Sequence, residues 1–126
     1  MTTAYWTILG AILLPLLFTG LAKFTGGNGR YNNAAPREFL EEQTGAAKRA
    51  HWAQLNSFEA LPGFVAAVLV AHAAGAAQPT IDALATTWLA LRLAYGVAYM
   101  QNWPALRSVL WLAALACVVG LFLAAA

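Results

Sequence analysis

Charge is what this 126-residue chain has least of. Asp, Glu, Lys and Arg make up 10% of it while 61% is hydrophobic, against roughly 25% charged residues in an ordinary soluble domain. There is one cysteine, Cys117, which excludes an intramolecular disulfide and any CxxC metal or redox motif. Set inside an apolar run, it reads as a small buried hydrophobe. No Cys, His and carboxylate cluster has ligand spacing, so no metal site is assigned. No glycine-rich phosphate loop follows a strand. The stretch Met1–Ala4 has no basic side chain, and Lys23 follows the first apolar run instead of preceding it. That run therefore reads as a retained helix, bent near Pro15, and not as a signal peptide.

What is present is apolar sequence in four runs, about Ala4–Ala22, Gln54–Ala77, Ala83–Gln101 and Ser108–Leu123. Each is near the ~20 residues that cross ~30 Å of hydrocarbon as helix. The expectation is an all-α integral membrane protein, a four-helix bundle forming one domain over residues 1–126. Its helices are expected at about 4–23, 47–77, 81–102 and 107–125, with a polar loop at about 24–46. In that loop Gly26-Gly27-Asn28-Gly29 reads as a turn. Pro36 suits the first position of a short helix running to Glu42 and ended by Gly45. Thr80 and Asp82 are N-cap candidates for the third long helix, which Pro104 should stop near Asn102-Trp103.

The few charges are unevenly spread. Lys23, Arg30, Arg37, Lys48 and Arg49 fall between the first and second runs and Arg107 between the third and fourth, while Gly75–Asp82 has no Lys or Arg. The positive-inside rule puts loops one and three in the cytoplasm and both termini outside a cell membrane. Topology accounts for the basic balance, so no nucleic-acid partner is implied.

Two charges stand where the bilayer makes them costly, Glu59 and Arg92. A charge at membrane depth costs at least ~2.5–3.5 kcal/mol and persists when paired, hydrated or used. Each lies about nine residues from the cytoplasmic end of its helix, ~13 Å at ~1.5 Å per residue, so a direct contact is geometrically open. Trp52, Asn56, Glu59 and Gly63 share one helix face by spacing, as do Trp88, Arg92, Tyr95 and Tyr99. With Arg107 and Ser108 at the mouth, they form a polar strip reaching inward from the cytoplasm. The bland alternative is that the polar residues only bond helices together. His51 reads as interfacial and His72 as a hydrogen-bonded helix residue.

The segment Asn56-Ser57-Phe58-Glu59-Ala60-Leu61-Pro62-Gly63-Phe64 resembles the Asn-x-x-Glu-x-x-Pro-x-Phe signature of the MAPEG family, the membrane-associated proteins in eicosanoid and glutathione metabolism. Arg92, Tyr95 and Tyr99 resemble that family's third-helix Arg-x-x-Tyr/His-x-x-x-Tyr segment, and Arg107-Ser108 follows at nearly the expected distance. The resemblance implies a homotrimer in the membrane lipids with glutathione as cosubstrate, bound between neighbouring subunits near the cytoplasmic face. It also implies transferase or peroxidase chemistry on a lipophilic small molecule. Gln54, Asn56, Glu59, Arg92, Tyr95 and Tyr99 are the binding residues it suggests, with Arg107 stabilising the thiolate and Ser108 as a second thiol partner. Trp52 stands where the eicosanoid enzymes carry an Arg, and Lys48 or Arg49, one turn earlier, is the candidate substitute. A small transporter built on Glu59 and a non-catalytic interaction module are the competing readings.

Overall fold

The computed structural model describes residues 1–26 and 29–126; Gly27 and Asn28 of the expected turn lie outside the described residues. Among the described residues the chain is all helical: α1 (Thr3–Phe24), α2 (Pro36–Glu41), α3 (Gly45–Ala73), α4 (Gln78–Met100) and α5 (Pro104–Ala125). Three of them, α1, α3 and α5, are long and apolar enough to cross a membrane. α4 has the length but falls short in hydropathy, because Arg92 and the Thr, Trp and Tyr residues around it offset its aliphatic ones.

α1 packs mainly on α3 and α4 mainly on α5, with α3 also in contact with α4 and α5. The contacts are close because alanine fills the seams. Ala4, Ala11, Ala22, Ala50, Ala53, Ala67, Ala71 and Ala85 are all at most 1% exposed, as expected where helices associate by backbone approach instead of large side chains. Gly96 shows the limit, since a Cβ there would run into the Phe18 ring. Large apolar residues such as Leu13, Leu16, Leu17, Leu112 and Leu123 face outward, the arrangement that lipid tolerates and water does not.

The helix ends differ from the sequence expectation for local reasons. α3 stops at Ala73, not near 77, because Gly75 (φ 75°) closes it. Gly75 N–H donates to His72 O at 3.1 Å and Ala76 N–H to Ala71 O at 3.0 Å, the two bonds of a Schellman ending. α4 ends the same way with Asn102 at φ 60°, bonding through Asn102 N–H to Tyr99 O and Trp103 N–H to Ala98 O. It begins at Gln78 instead of 81, since Pro79 fits a first turn whose N–H groups have no partners anyway. Pro104 likewise starts α5 three residues before the expected 107, which places Arg107 within its first turn. Gly45 opens α3 and does not end α2. α1 continues through Pro15 as one helix.

Asp82 is not an N-cap of its own helix. Its carboxylate accepts from Ala4 N–H at 2.8 Å and from Gln78 Nε2 at 2.9 Å, so α4 supplies an acceptor to the open N-terminus of α1. His72 belongs to the same end. Its Nδ1 donates to Val68 O at 2.8 Å, leaving Nε2 to meet the Thr2 hydroxyl at 3.2 Å, and its ring stacks on Tyr5 at 4.2 Å. At the other end, Phe39 and Leu40 of α2 are buried with Ala22 and Ala50, tying the long loop to α1 and α3.

Candidate functional site

The polar strip assembles from three helices because helical spacing aligns each set and the α3–α4–α5 packing turns the sets toward one another. Arg92 is 1% exposed, a full charge taken out of solvent. Its Nη2 donates to Asn56 Oδ1 at 2.8 Å, and Asn56 Nδ2 donates to Glu59 Oε2 at 3.1 Å. The link between the two charges is therefore a relay through an amide, not the direct contact that their depth allowed. The remaining guanidinium capacity goes partly to the Tyr95 ring, 4.2 Å from Arg92 Cζ. Arg92 Nε is buried with no hydrogen-bond partner.

Aromatic rings carry the strip from Arg92 to its mouth at Arg107. Tyr95 and Tyr99 meet edge to face at 5.6 Å, Arg107 Cζ lies 4.5 Å over the Tyr99 ring, and Trp52 lies 6.2 Å from Tyr99. Trp52, standing where the eicosanoid enzymes have Arg, has Lys48 Nζ 5.9 Å above its ring. Arg92 and Arg107 set against the single carboxylate of Glu59 leave the strip with a positive surplus. Such a surplus favours a ligand with more negative groups than positive ones.

Three cavities open along this surface, and Asn56 lines all of them. One of about 290 Å³ lies among Asn56, Glu59, Gly63, Trp88, Arg92 and Trp111. A second, about 430 Å³, is lined by Asn56, Tyr95, Tyr99, Arg107, Ser108 and Trp111. A third, about 360 Å³, lies among Trp52, Leu55, Asn56, Glu59, Tyr95 and Tyr99. Volumes of this order suit small-molecule ligands.

Of the residues singled out from the sequence, Asn56, Glu59, Arg92, Tyr95, Tyr99, Arg107 and Ser108 come together here. Gln54, Arg49 and Lys48 do not line these cavities. Gln54 Oε1 pairs with His51 Nδ1 at 3.1 Å, and His51 is buried within the chain. Arg49 Nε donates to Met100 O at the end of α4, at 3.0 Å. Lys48 Nζ donates to Glu41 O at the end of α2. Open helix C-termini attract cations, and both basic side chains are taken up in this way. Trp111, which borders two of the cavities, was not singled out from the sequence. An aromatic inside an apolar run has no distinguishing mark there, although its place four residues after Arg107 is a usable signal.

A model of the MAPEG family matches residues 3–126, essentially the whole chain. No curated protein and no solved structure matches it.

Proposed function

Because the chain belongs to the MAPEG family, a family of membrane proteins, we propose that it is a glutathione-dependent enzyme acting on lipophilic substrates that arrive through the bilayer. α4 crosses the membrane with α1, α3 and α5 as a fourth span, its buried Arg92 shielded by neighbouring helices. Both termini face outward, and the basic loops face the cytoplasm. Glu59 is exposed on the single chain, and an ionised carboxylate at this depth does not face lipid. A homotrimer covers it, the neighbouring copy closing the site.

The observation that carries this reading is the charge arrangement about Asn56. Glutathione has two carboxylates, one ammonium and a thiol. Glu59 accepts from the ammonium, and Asn56 and the tyrosine hydroxyls bond the peptide. Lys48 and Arg49 hold the carboxylates, each giving up the backbone carbonyl it bonds in the free chain, Arg49 by its planar fork. Arg107, beside Ser108 in the cavity nearest the mouth, stabilises the thiolate. This lowers a thiol pKa from ~8.5, so that the nucleophile exists at neutral pH. The thiolate sulfur then attacks an electrophilic carbon of the substrate, or the distal oxygen of a hydroperoxide, with the leaving group departing with the electron pair.

The test is the thermal stability of the purified protein in S-hexylglutathione. A ligand at 100 times its Kd adds about 2.7 kcal/mol to the folded state. The shift should vanish in Arg107→Ala while the oligomer persists. No shift at millimolar ligand would remove glutathione from the account. Loss of the oligomer in Arg107→Ala would favour a structural role instead. Glu59-dependent flux into proteoliposomes without glutathione would favour a carrier.

A further inference from the structure

The C-terminal end of α1 carries two cations that the strip around Asn56 does not use. α1 has 22 residues, ~33 Å at ~1.5 Å per residue. That length spans the ~30 Å hydrocarbon core and sets Lys23 and Phe24 at its boundary. The loop returns to this boundary at Tyr31. Lys23 Nζ lies 4.4 Å over the Tyr31 ring, and the Phe24 ring meets it at 6.1 Å. Tyr31 is itself fixed on two sides. Its ring meets the buried Phe39 edge to face at 5.4 Å, and its hydroxyl donates to Asn33 Oδ1 at 3.0 Å. Tyr31 is therefore a rigid shelf that holds the Lys23 ammonium close to the neighbouring residue, Arg30.

The charge on this shelf is unanswered. Among the described residues no carboxylate forms an ion pair with Lys23 or Arg30. The loop's acids, Glu38, Glu41 and Glu42, are exposed on α2 and its C-cap, whose buried residues are Phe39 and Leu40. The open end of α1 adds about half a negative charge, which two full positive charges outweigh. Beside them Phe24 is 78% exposed, an apolar ring at the height where headgroup meets acyl chain.

We propose that Lys23, Phe24, Arg30 and Tyr31 form a binding site for an anionic phospholipid. The phosphate lies between the two cations, and the upper acyl chain lies against Phe24. Total loop charge sets topology; this site depends on which two cations share one aromatic shelf. A free phosphate would meet the same cations but leave the Phe24 ring uncovered. Tyr31 and Phe39 belong to the cluster that ties α2 to α1 and α3, so a lipid held here stabilises the folded loop. None of the four residues lines the three cavities around Asn56, and the inference is independent of the glutathione reading.

The experiment uses the intact oligomer, purified in a neutral detergent without glutathione, and follows its thermal midpoint as lipid is added. Dioctanoyl phosphatidylglycerol should raise the midpoint saturably, with dioctanoyl phosphatidylcholine and glycerol phosphate at least fivefold less effective. Lys23→Gln and Arg30→Gln should each weaken the response about fivefold, the contribution of one basic side chain near an anionic surface. Arg37→Gln, which removes an exposed cation of α2, should leave it unchanged. Equal action by phosphatidylcholine overturns the proposal, and so does equal action by glycerol phosphate, which would mark a site for soluble phosphate. An Arg37→Gln loss as large as that of Lys23→Gln would show diffuse surface charge and overturn it too. The lipid comparison on the wild-type protein decides the matter even if no variant folds.

Discussion

Arg92 on α4 donates to Asn56 on α3 at 2.8 Å, and this bond settles which way the Asn56 amide points. With Oδ1 committed to the guanidinium, Nδ2 is left for Glu59 at 3.1 Å. One neutral side chain thereby holds a buried cation and a carboxylate in a fixed relation without joining them directly. Glu59 keeps acceptor capacity for a ligand, which a fork-to-fork ion pair with Arg92 would have consumed.

Removing that amide should cost stability more than its exposure suggests. Asn56→Leu leaves the Arg92 guanidinium, whose Nε already has no partner, short of another acceptor. The expected loss is roughly 1.5–3 kcal/mol, the range for hydrogen bonds to charged groups. Asn56→Asp, which keeps an acceptor for Arg92, should lose less. Thermal midpoints in one detergent compare the two; equal midpoints for Asn56→Leu and the wild type would refute the relay.

Gly96 permits the approach of α4 to α1. Gly96→Ala puts its methyl group on the Phe18 ring, and overpacking of this kind costs ~1–3 kcal/mol. Helix propensity alone would make the same change stabilising by ~1 kcal/mol. A fall in thermal midpoint that is recovered by adding Phe18→Leu is the expected pattern. A rise in the single variant would show that the helices do not meet here.

The turn after α4 predicts a pair of opposite responses. Asn102 sits at φ 60°, where an ordinary L-residue is penalised by roughly 1–2 kcal/mol. Asn102→Ala should therefore be destabilised by about that much, and Asn102→Gly should match or exceed the wild type. Denaturant or thermal titrations of both variants check this, and indistinguishable stabilities would argue against a left-handed ending.

Membrane sidedness is open to chemical labelling. In a Cys117→Ser background, Gly75→Cys should react with an impermeant thiol reagent added outside intact cells, while Gly29→Cys should react only after the membrane is opened. The reverse pattern would invert the proposed orientation and move the mouth at Arg107 to the other face.

The polar strip was legible in the sequence because charge is rare there, and a 3–4 spacing on two helices puts Asn56 and Glu59, and Arg92, Tyr95 and Tyr99, on single faces. How those faces meet was not legible. The depth argument allowed Glu59 and Arg92 to touch, but tertiary packing inserted Asn56 between them. Lys48 and Arg49 have nearly the right register for the site, yet nearby carbonyls at the ends of α2 and α4 take their donors, and no local pattern reveals that competition. Helix ends were missed by a few residues where glycine or asparagine in the left-handed region closed a helix early, or where a proline opened one early. Asp82 looked like a cap for its own helix and instead serves α1, 78 residues away in sequence.

Equilibrium dialysis of labelled glutathione against the reconstituted oligomer addresses most directly whether the residues around Asn56 form one ligand site. Saturable binding is predicted, weakened at least tenfold, or by ~1.4 kcal/mol, in Glu59→Gln and in Arg107→Leu, with oligomer size unchanged. Glutathione that fails to saturate the protein at millimolar concentration, or that binds both variants as it binds the wild type, would contradict the account.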